Sequence, residues 1–167
     1  KKKNLPLEII GSSNLKAIKY VEDKGSAQCK SSVMFAGMRS NGTTIIKARK
    51  SRNHTELMCK YLNLPVTVKK GRKYDLIKIR KVKYIKPLIY NVPSDISSGA
   101  FFIVLTALSE SSQLLIKNVN INSSRIGIIK ILNMMGSKIK FLNKKNYKGE
   151  KISDIYVKSN RNLRAIN

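Results

Sequence analysis

Residues 26–48 of this chain read SAQCKSSVMFAGMRSNGTTIIKA, a helix pattern that changes into a strand pattern. Small and apolar residues recur at helical spacing from Ser26 to about Met38: Cys29, Val33, Ala36 and Gly37. Asn41-Gly42 is typical of a turn, and the β-branched run Thr43–Ala48 predicts a strand. The stretch therefore predicts a helix followed by a strand, as in an α/β protein.

The pattern continues downstream with a second helix and two more strands. Asn53 and Glu56 have the spacing of a capping box, ahead of an apolar face made by Leu57, Met58, Tyr61 and Leu62. Val66–Val68 and Leu76–Ile79 read as short strands. The predicted order is helix, strand, helix, strand, strand.

The same order occurs again in the second half, in five predicted elements: Ser97–Leu108, Gln113–Val119, Ser124–Met135 with Gly136 as a stop, Ile139–Leu142 and Ile152–Lys158. KYLNL at 60–64 aligns with KILNM at 130–134, 70 residues later. Lys47 aligns with Lys117 at the same spacing. The order of elements and this alignment predict an internal repeat.

A break between the copies is expected at residues 90–95, YNVPSD. Pro93 lacks an N–H donor, and the Pro-Ser-Asp run favours a turn. The sequence therefore predicts two parts, 1–92 and 93–167, joined by a tight crossover.

The composition is strongly basic, with 34 Lys and Arg against 9 Asp and Glu in 167 residues, a formal net charge of +25. Such a charge can favour nucleic acid. However, 26 of the cations are Lys and only 8 are Arg, and Trp is absent, whereas nucleic-acid readers favour Arg forks and aromatic platforms. We expect a Lys-rich surface that binds no nucleic acid, and a basic nucleic-acid-binding module stays an alternative. No apolar run is long enough for a membrane span, so no membrane association is expected.

Neither Cys29 nor Cys59 belongs to a CxxC pair, and neither lies near His54, the single histidine. No metal site is predicted. Both cysteines are expected to be buried in a reducing, cytoplasmic environment. The chain begins with Lys1 and has no secretory signal, and we expect it to be a piece of a longer protein.

Polar clusters stand at the starts of three predicted helices: Ser26-Ala27-Gln28, Ser51-Arg52-Asn53-His54 and Asp95-Ile96-Ser97-Ser98. A helix start with a hydroxyl or Arg suits a phosphate or carboxylate. Spacing alone, however, favours an ordinary helix cap at each cluster. His54 alone is expected to be structural.

Several further segments have a recognisable order along the chain: GSAQCKS at 25–31, GTT at 42–44, SRNHTE at 51–56, VPSDISSGAFF at 92–102, NSSRIG at 122–127 and MGS at 135–137. Together, and in this order, they resemble the motifs of the 5-enolpyruvylshikimate-3-phosphate synthase family. The resemblance implies an inside-out α/β barrel of two lobes, each with three βαβαββ units. Two of those six units would be present here.

The resemblance also implies an activity, the transfer of the enolpyruvyl group of phosphoenolpyruvate to the 5-hydroxyl of shikimate 3-phosphate, without a cofactor. Shikimate 3-phosphate would be bound by Ser26, Ala27, Gln28, Ser51 and Arg52, with Gln28 also reaching phosphoenolpyruvate. Asp95–Ser98 would be structural, at the lobe crossover.

The family's catalytic Asp and Glu segments have no match here, so no catalytic residue is assigned within this chain. We expect the chain alone to be inactive, and the full-length protein to be a monomer. A related enolpyruvyl transferase acting on UDP-N-acetylglucosamine and a noncatalytic product remain alternatives.

Overall fold

The computed structural model describes residues 6–160 and 162–166; Lys1 and Asn167, the termini noted above, lie outside them. The described chain forms two compact units. Unit 1 contains the described residues up to Lys50 together with Pro65–Tyr84, and unit 2 contains Ser51–Leu64 and the described residues from Ile85 onward.

Unit 1 is a four-stranded sheet with one helix. Its elements in chain order are β1 (Lys19–Glu22), α1 (Ala27–Arg39), β2 (Thr43–Arg49), β3 (Val66–Lys69) and β4 (Tyr74–Arg80). The strand order is β1-β2-β4-β3, with β1 and β2 parallel and the other pairs antiparallel. Parallel neighbours need a crossover, and α1 provides it.

The core of unit 1 lies between α1 and one face of this sheet. Residues of β2 and β4 alternate between buried and exposed, as a sheet covered on one face requires. The buried apolar residues of unit 1 are Met34, Met38, Ile46, Ala48, Ile77, Ile79 and Val82. On α1 the buried set is Lys30, Met34, Gly37 and Met38. Of the four residues used to predict this helix, Gly37 is buried, whereas Cys29 and Ala36 are exposed and Val33 is half-buried. The buried face is shifted from the predicted one and includes the charged Lys30.

Unit 2 has three helices and a three-stranded antiparallel sheet. Its elements are α2 (His54–Tyr61), α3 (Ile96–Leu108), β5 (Gln113–Asn120), α4 (Gly127–Met134), β6 (Lys138–Tyr147) and β7 (Glu150–Lys158), with strand order β5-β7-β6. Ser94, just before α3, forms a parallel bridge with Val119 of β5. The core joins α3, α4 and the sheet through Ile96, Ile103, Ala107, Val119, Ile129, Leu132, Ile139, Ile155 and Val157.

Both long strand pairs of unit 2 contain an irregularity, and Asp154 lies between them. The register shifts between Ile116 and Val119 and again between Leu142 and Lys145. The Asp154 carboxylate accepts the Asn118 N–H and the Asn143 side-chain N–H, each at 2.8 Å. Asn118 and Asn143 have φ of 52°, a left-handed value that asparagine tolerates. One carboxylate thus supports both bulges.

The predicted α/β class and the repeated element order are confirmed. Strands β2 and β5 begin 70 residues apart, at Thr43 and Gln113, as the alignment of Lys47 with Lys117 predicts. Helices α2 and α4 begin 73 residues apart, at His54 and Gly127. The alignment of 60–64 with 130–134 is therefore wrong by about one helical turn, because the loop before α4 is longer than the loop before α2.

Candidate functional site

The loop that leads into α1 is organised by a buried carboxylate. Glu22, at the end of β1, is 2% exposed. It accepts hydrogen bonds from the N–H groups of Lys24, Gly25 and Ser26, each at 3.0 Å. Gly25 has a φ of 74°, which an L side chain would strain. Sequence reasoning did not find Glu22, because β1, Lys-Tyr-Val-Glu, has a single β-branched residue and charged residues at both ends.

Ser26 is the N-cap of α1. Its Oγ accepts the Cys29 N–H at 3.2 Å, so its own hydroxyl hydrogen can be donated outward. The first helical bond runs from Lys30 N–H to the Ser26 carbonyl, at 3.1 Å. The N–H groups of Ala27 and Gln28 precede that bond and have no helical acceptor. A hydroxyl and two amide groups at a helix start form a donor set suited to an anion.

The second predicted segment, 51–54, begins helix α2. The Ser51 Oγ is buried and has no hydrogen-bond partner among the described residues. Arg52 is half-buried. A buried hydroxyl without a partner is costly, which favours an additional polar group at this position.

The predicted capping box at Asn53 is wrong. Asn53 occupies the N-cap position, but its side chain makes no capping hydrogen bond. Its Oδ1 instead accepts from Asn122 Nδ2 at 2.9 Å. The side chain therefore joins α2 to the loop that follows β5.

His54 is paired with a carboxylate that the sequence did not indicate. Its Nδ1 lies 2.5 Å from Glu150 Oε1, and Glu150 is 5% exposed. The Nε2 of His54 is buried without a hydrogen-bond partner among the described residues. A ring nitrogen that solvent cannot reach is poorly placed to exchange a proton with a substrate.

The third predicted cluster begins helix α3, and its polar groups are mutually engaged. Asp95 is the N-cap and accepts the Ser97 N–H at 3.1 Å. Arg125 Nη2 lies 2.5 Å from Asp95 Oδ1 and 2.6 Å from Ser97 Oγ. Burial alone would raise the pKa of Asp95, but the Ser97 N–H and the Arg125 guanidinium outweigh it and hold that pKa below its ordinary value.

Of the predicted site residues, Ser26, Ala27 and Gln28 belong to unit 1, and Ser51 and Arg52 belong to unit 2. Ser26 is the N-cap of α1 and Ala27 and Gln28 are its first two residues, whereas Ser51 and Arg52 lie just before Asn53, the N-cap of α2.

Cys59 is buried as expected, but Cys29 is exposed, which corrects the prediction for that residue. Burial, and then the nearby Glu56 carboxylate, raise the pKa of the Cys59 thiol to about 11. Among the described residues no group of three or more His, Cys, Asp and Glu is placed to hold a metal ion. Within the same part of the chain, no helix combines the length and apolar character needed to cross a bilayer.

One unit has a mixed sheet and the other an antiparallel sheet, and in each a helix connects two segments that pair in parallel. The chain is therefore an α/β protein, and the start of its first helix is suited to an anion. The family described as EPSP synthase (3-phosphoshikimate 1-carboxyvinyltransferase) matches residues 1–167. The chain belongs to this family.

Curated relatives agree with that assignment. The chain is 43% identical over 122 residues to a 3-phosphoshikimate 1-carboxyvinyltransferase of Staphylococcus aureus strain JH9, covering 72% of this chain and 28% of the relative. The protein of the same name from strain MRSA252 is 44% identical over the same length. The chain thus spans less than one third of the length of these relatives.

Solved structures show the same fold. An EPSP synthase from Acinetobacter baumannii superposes with a TM-score of 0.75 at 35% identity, covering 87% of this chain and 32% of that one. A second structure of EPSP synthase from this organism gives a TM-score of 0.76 over 90% of the chain.

Proposed function

We propose that this chain is part of an enzyme that transfers the enolpyruvyl group of phosphoenolpyruvate to the 5-hydroxyl of shikimate 3-phosphate. The observation that carries the proposal is the start of α1, where a serine hydroxyl and two N–H groups face no helical partner. The relatives are named for 3-phosphoshikimate, and a helix start is suited to bind a phosphate group.

The proposed binding residues are Ser26, Ala27, Gln28, Ser51 and Arg52. Ser26 and the two following amides would bind the phosphate of shikimate 3-phosphate, and Glu22 would keep the loop in place by using the three preceding amides. Arg52 adds a planar, permanently charged donor. Ser51 gains support from its buried hydroxyl, which a substrate oxygen would satisfy. Gln28, whose side chain is exposed, would extend towards phosphoenolpyruvate.

We place the crossover between the lobes of the whole enzyme at 92/93, with one repeat unit on each side. The exposed apolar face of α3 supports this arrangement, because Phe101, Phe102, Leu105 and Leu108 are each more than half exposed. Such a face is typical of a surface that packs on further structure. In the whole enzyme, two of six units would come from this chain, and the full-length protein would act as a monomer on small substrates in the cytoplasm.

The chain alone is proposed to be inactive. No segment of 1–167 matches the family motifs that carry the catalytic Asp and Glu, and transfer of an enolpyruvyl group needs acids and cations held at the reacting carbon. Incubation of the purified chain with both substrates should release no phosphate above the level of a boiled control. Steady release would contradict this proposal.

Binding is tested separately, by titrating shikimate 3-phosphate into the chain in a calorimeter. We expect affinity in the range of about 1 mM, weakened about tenfold by Arg52→Ala because an Arg–phosphate pair is lost. Arg80→Ala is the matched control, since Arg80 is exposed on β4 and outside the proposed site. Equal affinity for the Arg52→Ala variant and the unmodified chain would remove Arg52 from the site.

A further inference from the structure

Unit 2 contains a cavity of about 490 Å³ between α2, the loop after β5 and the β6–β7 hairpin. This volume falls within the range of small-molecule sites. Its lining includes one carboxylate, two ammonium groups and several apolar side chains, and the residues that matter for binding are Leu57, Ile126, Phe141, Glu150, Lys144 and Lys151. No residue of the proposed substrate set is among them.

The α2 wall of this cavity is held in place by several contacts within unit 2. Asn53 accepts from Asn122 at 2.9 Å, and His54 pairs with Glu150 at 2.5 Å. At Gly149 the hairpin turn lies so close to α2 that a Cβ atom would be 2.9 Å from the Leu57 carbonyl oxygen. These contacts hold α2 against the loop after β5 and the β6–β7 hairpin.

Glu150 presents a carboxylate that is incompletely satisfied. One oxygen is paired with His54, whereas the other has a single long contact among the described residues, 3.4 Å from Asn122 Nδ2. The residue is 5% exposed, so water cannot freely supply what is missing. A buried carboxylate oxygen gains most from a charged donor such as an ammonium group.

The opposite charge is provided by Lys144 and Lys151. Both are exposed at the cavity, and Lys144 Nζ lies 5.1 Å from the centre of the Phe141 ring. Two cations beside an apolar wall can bind a carboxylate whose attached chain packs on that wall.

We propose that this cavity binds an α-amino acid with an apolar side chain. Its ammonium group would donate to Glu150, its carboxylate would pair with Lys144 and Lys151, and its side chain would pack on Leu57, Ile126 and Phe141. A carboxylic acid without the ammonium would bring a second negative charge towards Glu150. An amine without the carboxylate would leave both lysines unpaired. The site does not depend on the proposed function.

Calorimetric titration of the chain with L-leucine up to about 10 mM tests the site, since dissociation constants near 1 mM are measurable in this range. We expect saturable binding of L-leucine and at least about fivefold weaker binding of 4-methylpentanoate, which lacks the ammonium, and of 3-methylbutylamine, which lacks the carboxylate. Absence of L-leucine binding, or equal binding of either analogue, overturns the proposal.

Two variants locate the site. The double variant Lys144→Gln/Lys151→Gln should weaken the binding of L-leucine about tenfold. The matched control is Lys140→Gln/Lys158→Gln, at exposed positions of the same two strands outside the lining, and it should leave this affinity unchanged. Equal losses in both variants would show a nonspecific charge effect and overturn the assignment. Glu150→Gln should weaken L-leucine and strengthen 4-methylpentanoate, and weakening of both ligands would also contradict the proposed role of Glu150.

Discussion

Helix α1 of unit 1 and helix α3 of unit 2 occupy the same place in the repeat, yet their first turns are used differently. Each has 13 residues and follows an extended segment that pairs in parallel with the next strand. In unit 1 the N-cap is the hydroxyl of Ser26, and the Glu22 carboxylate binds only the preceding loop. In unit 2 the N-cap is the Asp95 carboxylate, which also holds Arg125.

This difference shows that the same position in the fold can be capped by a neutral hydroxyl or by a charged carboxylate. The neutral cap of α1 leaves the partial positive charge of the helix start available to an anion. The charged cap of α3 neutralises that end and joins it to the loop before α4. Unit 2 also holds the extra helix α2. A substitution that removes either device should therefore affect the two units unequally.

The largest contrast is expected between the two cysteines. Cys29 of unit 1 is exposed, whereas Cys59 lies buried on α2 in unit 2 with its pKa raised to about 11. Because the thiolate is the reactive form, iodoacetamide at about pH 8 should modify Cys29 at least about 100-fold faster than Cys59. Mass spectrometry of the single-cysteine variants Cys29→Ser and Cys59→Ser measures each rate. Similar rates would show that α2 is not stably packed in unit 2.

Gly149→Ala should weaken the packing of helix α2 against the β6–β7 hairpin. Gly149 has a φ of 90°, and a Cβ there would lie 2.9 Å from the Leu57 carbonyl oxygen and 3.1 Å from Tyr61 Cβ. Backbone strain and the displaced helix together should lower the free energy of unfolding by about 3 kcal/mol. Urea unfolding measures the loss, and faster alkylation of Cys59 reports the movement of α2.

The control for this variant is Gly127→Ala, since nothing lies within 4 Å of a Cβ at Gly127. Alanine at the start of α4 should be neutral or stabilising. If Gly149→Ala and Gly127→Ala unfold at the same urea concentration, the close approach of the turn to α2 contributes nothing to stability.

The two N-caps should differ by a smaller amount. Ser26→Ala removes one capping hydrogen bond and should cost about 1 kcal/mol. Asp95→Ala removes a cap and also leaves the mostly buried Arg125 without its carboxylate, so we expect about 2 kcal/mol. Urea unfolding of both variants tests the order. A larger loss of unfolding free energy for Ser26→Ala than for Asp95→Ala would contradict the expectation that the N-cap of α3 contributes more to stability.

Much of this architecture is predictable from local patterns, and the failures have physical causes. Helices α1 and α3 and strands β2 and β5 follow from spacing and β-branched runs. Strand β1 is missed because Val21 is its single β-branched residue and its buried end is the charged Glu22. The buried face of α1 is also not predictable from polarity, because the charged Lys30 on that face is only 2% exposed.

The site is harder to predict, since its contacts join distant parts of the chain. The capping box at Asn53 fails because the side chain is used by Asn122, 69 residues away. The partner of His54 lies 96 residues away. Local spacing locates the helix starts, and the family resemblance selects which of them we propose as substrate sites. Neither shows the Glu22 carboxylate that shapes the loop before Ser26.

The smallest expected effect is a difference between the two N-caps in how their contribution to the unfolding free energy depends on pH. The pKa of Asp95 is below its ordinary value of 3.8 in the folded chain, so its carboxylate stabilises the fold above that value and loses the contribution as the pH falls through the lower folded value. At neutral pH the unmodified chain and Asp95→Asn should differ in unfolding free energy by less than about 1 kcal/mol, because Asp95 is half-exposed. This difference should narrow as the pH is lowered from neutral to below 3.8. The corresponding difference for Ser26→Ala should stay constant, because a hydroxyl does not titrate in this range. Urea unfolding at neutral and acid pH measures both differences, and a Ser26→Ala difference that narrows as much as that of Asp95→Asn would mean that the acid sensitivity does not originate at the α3 cap.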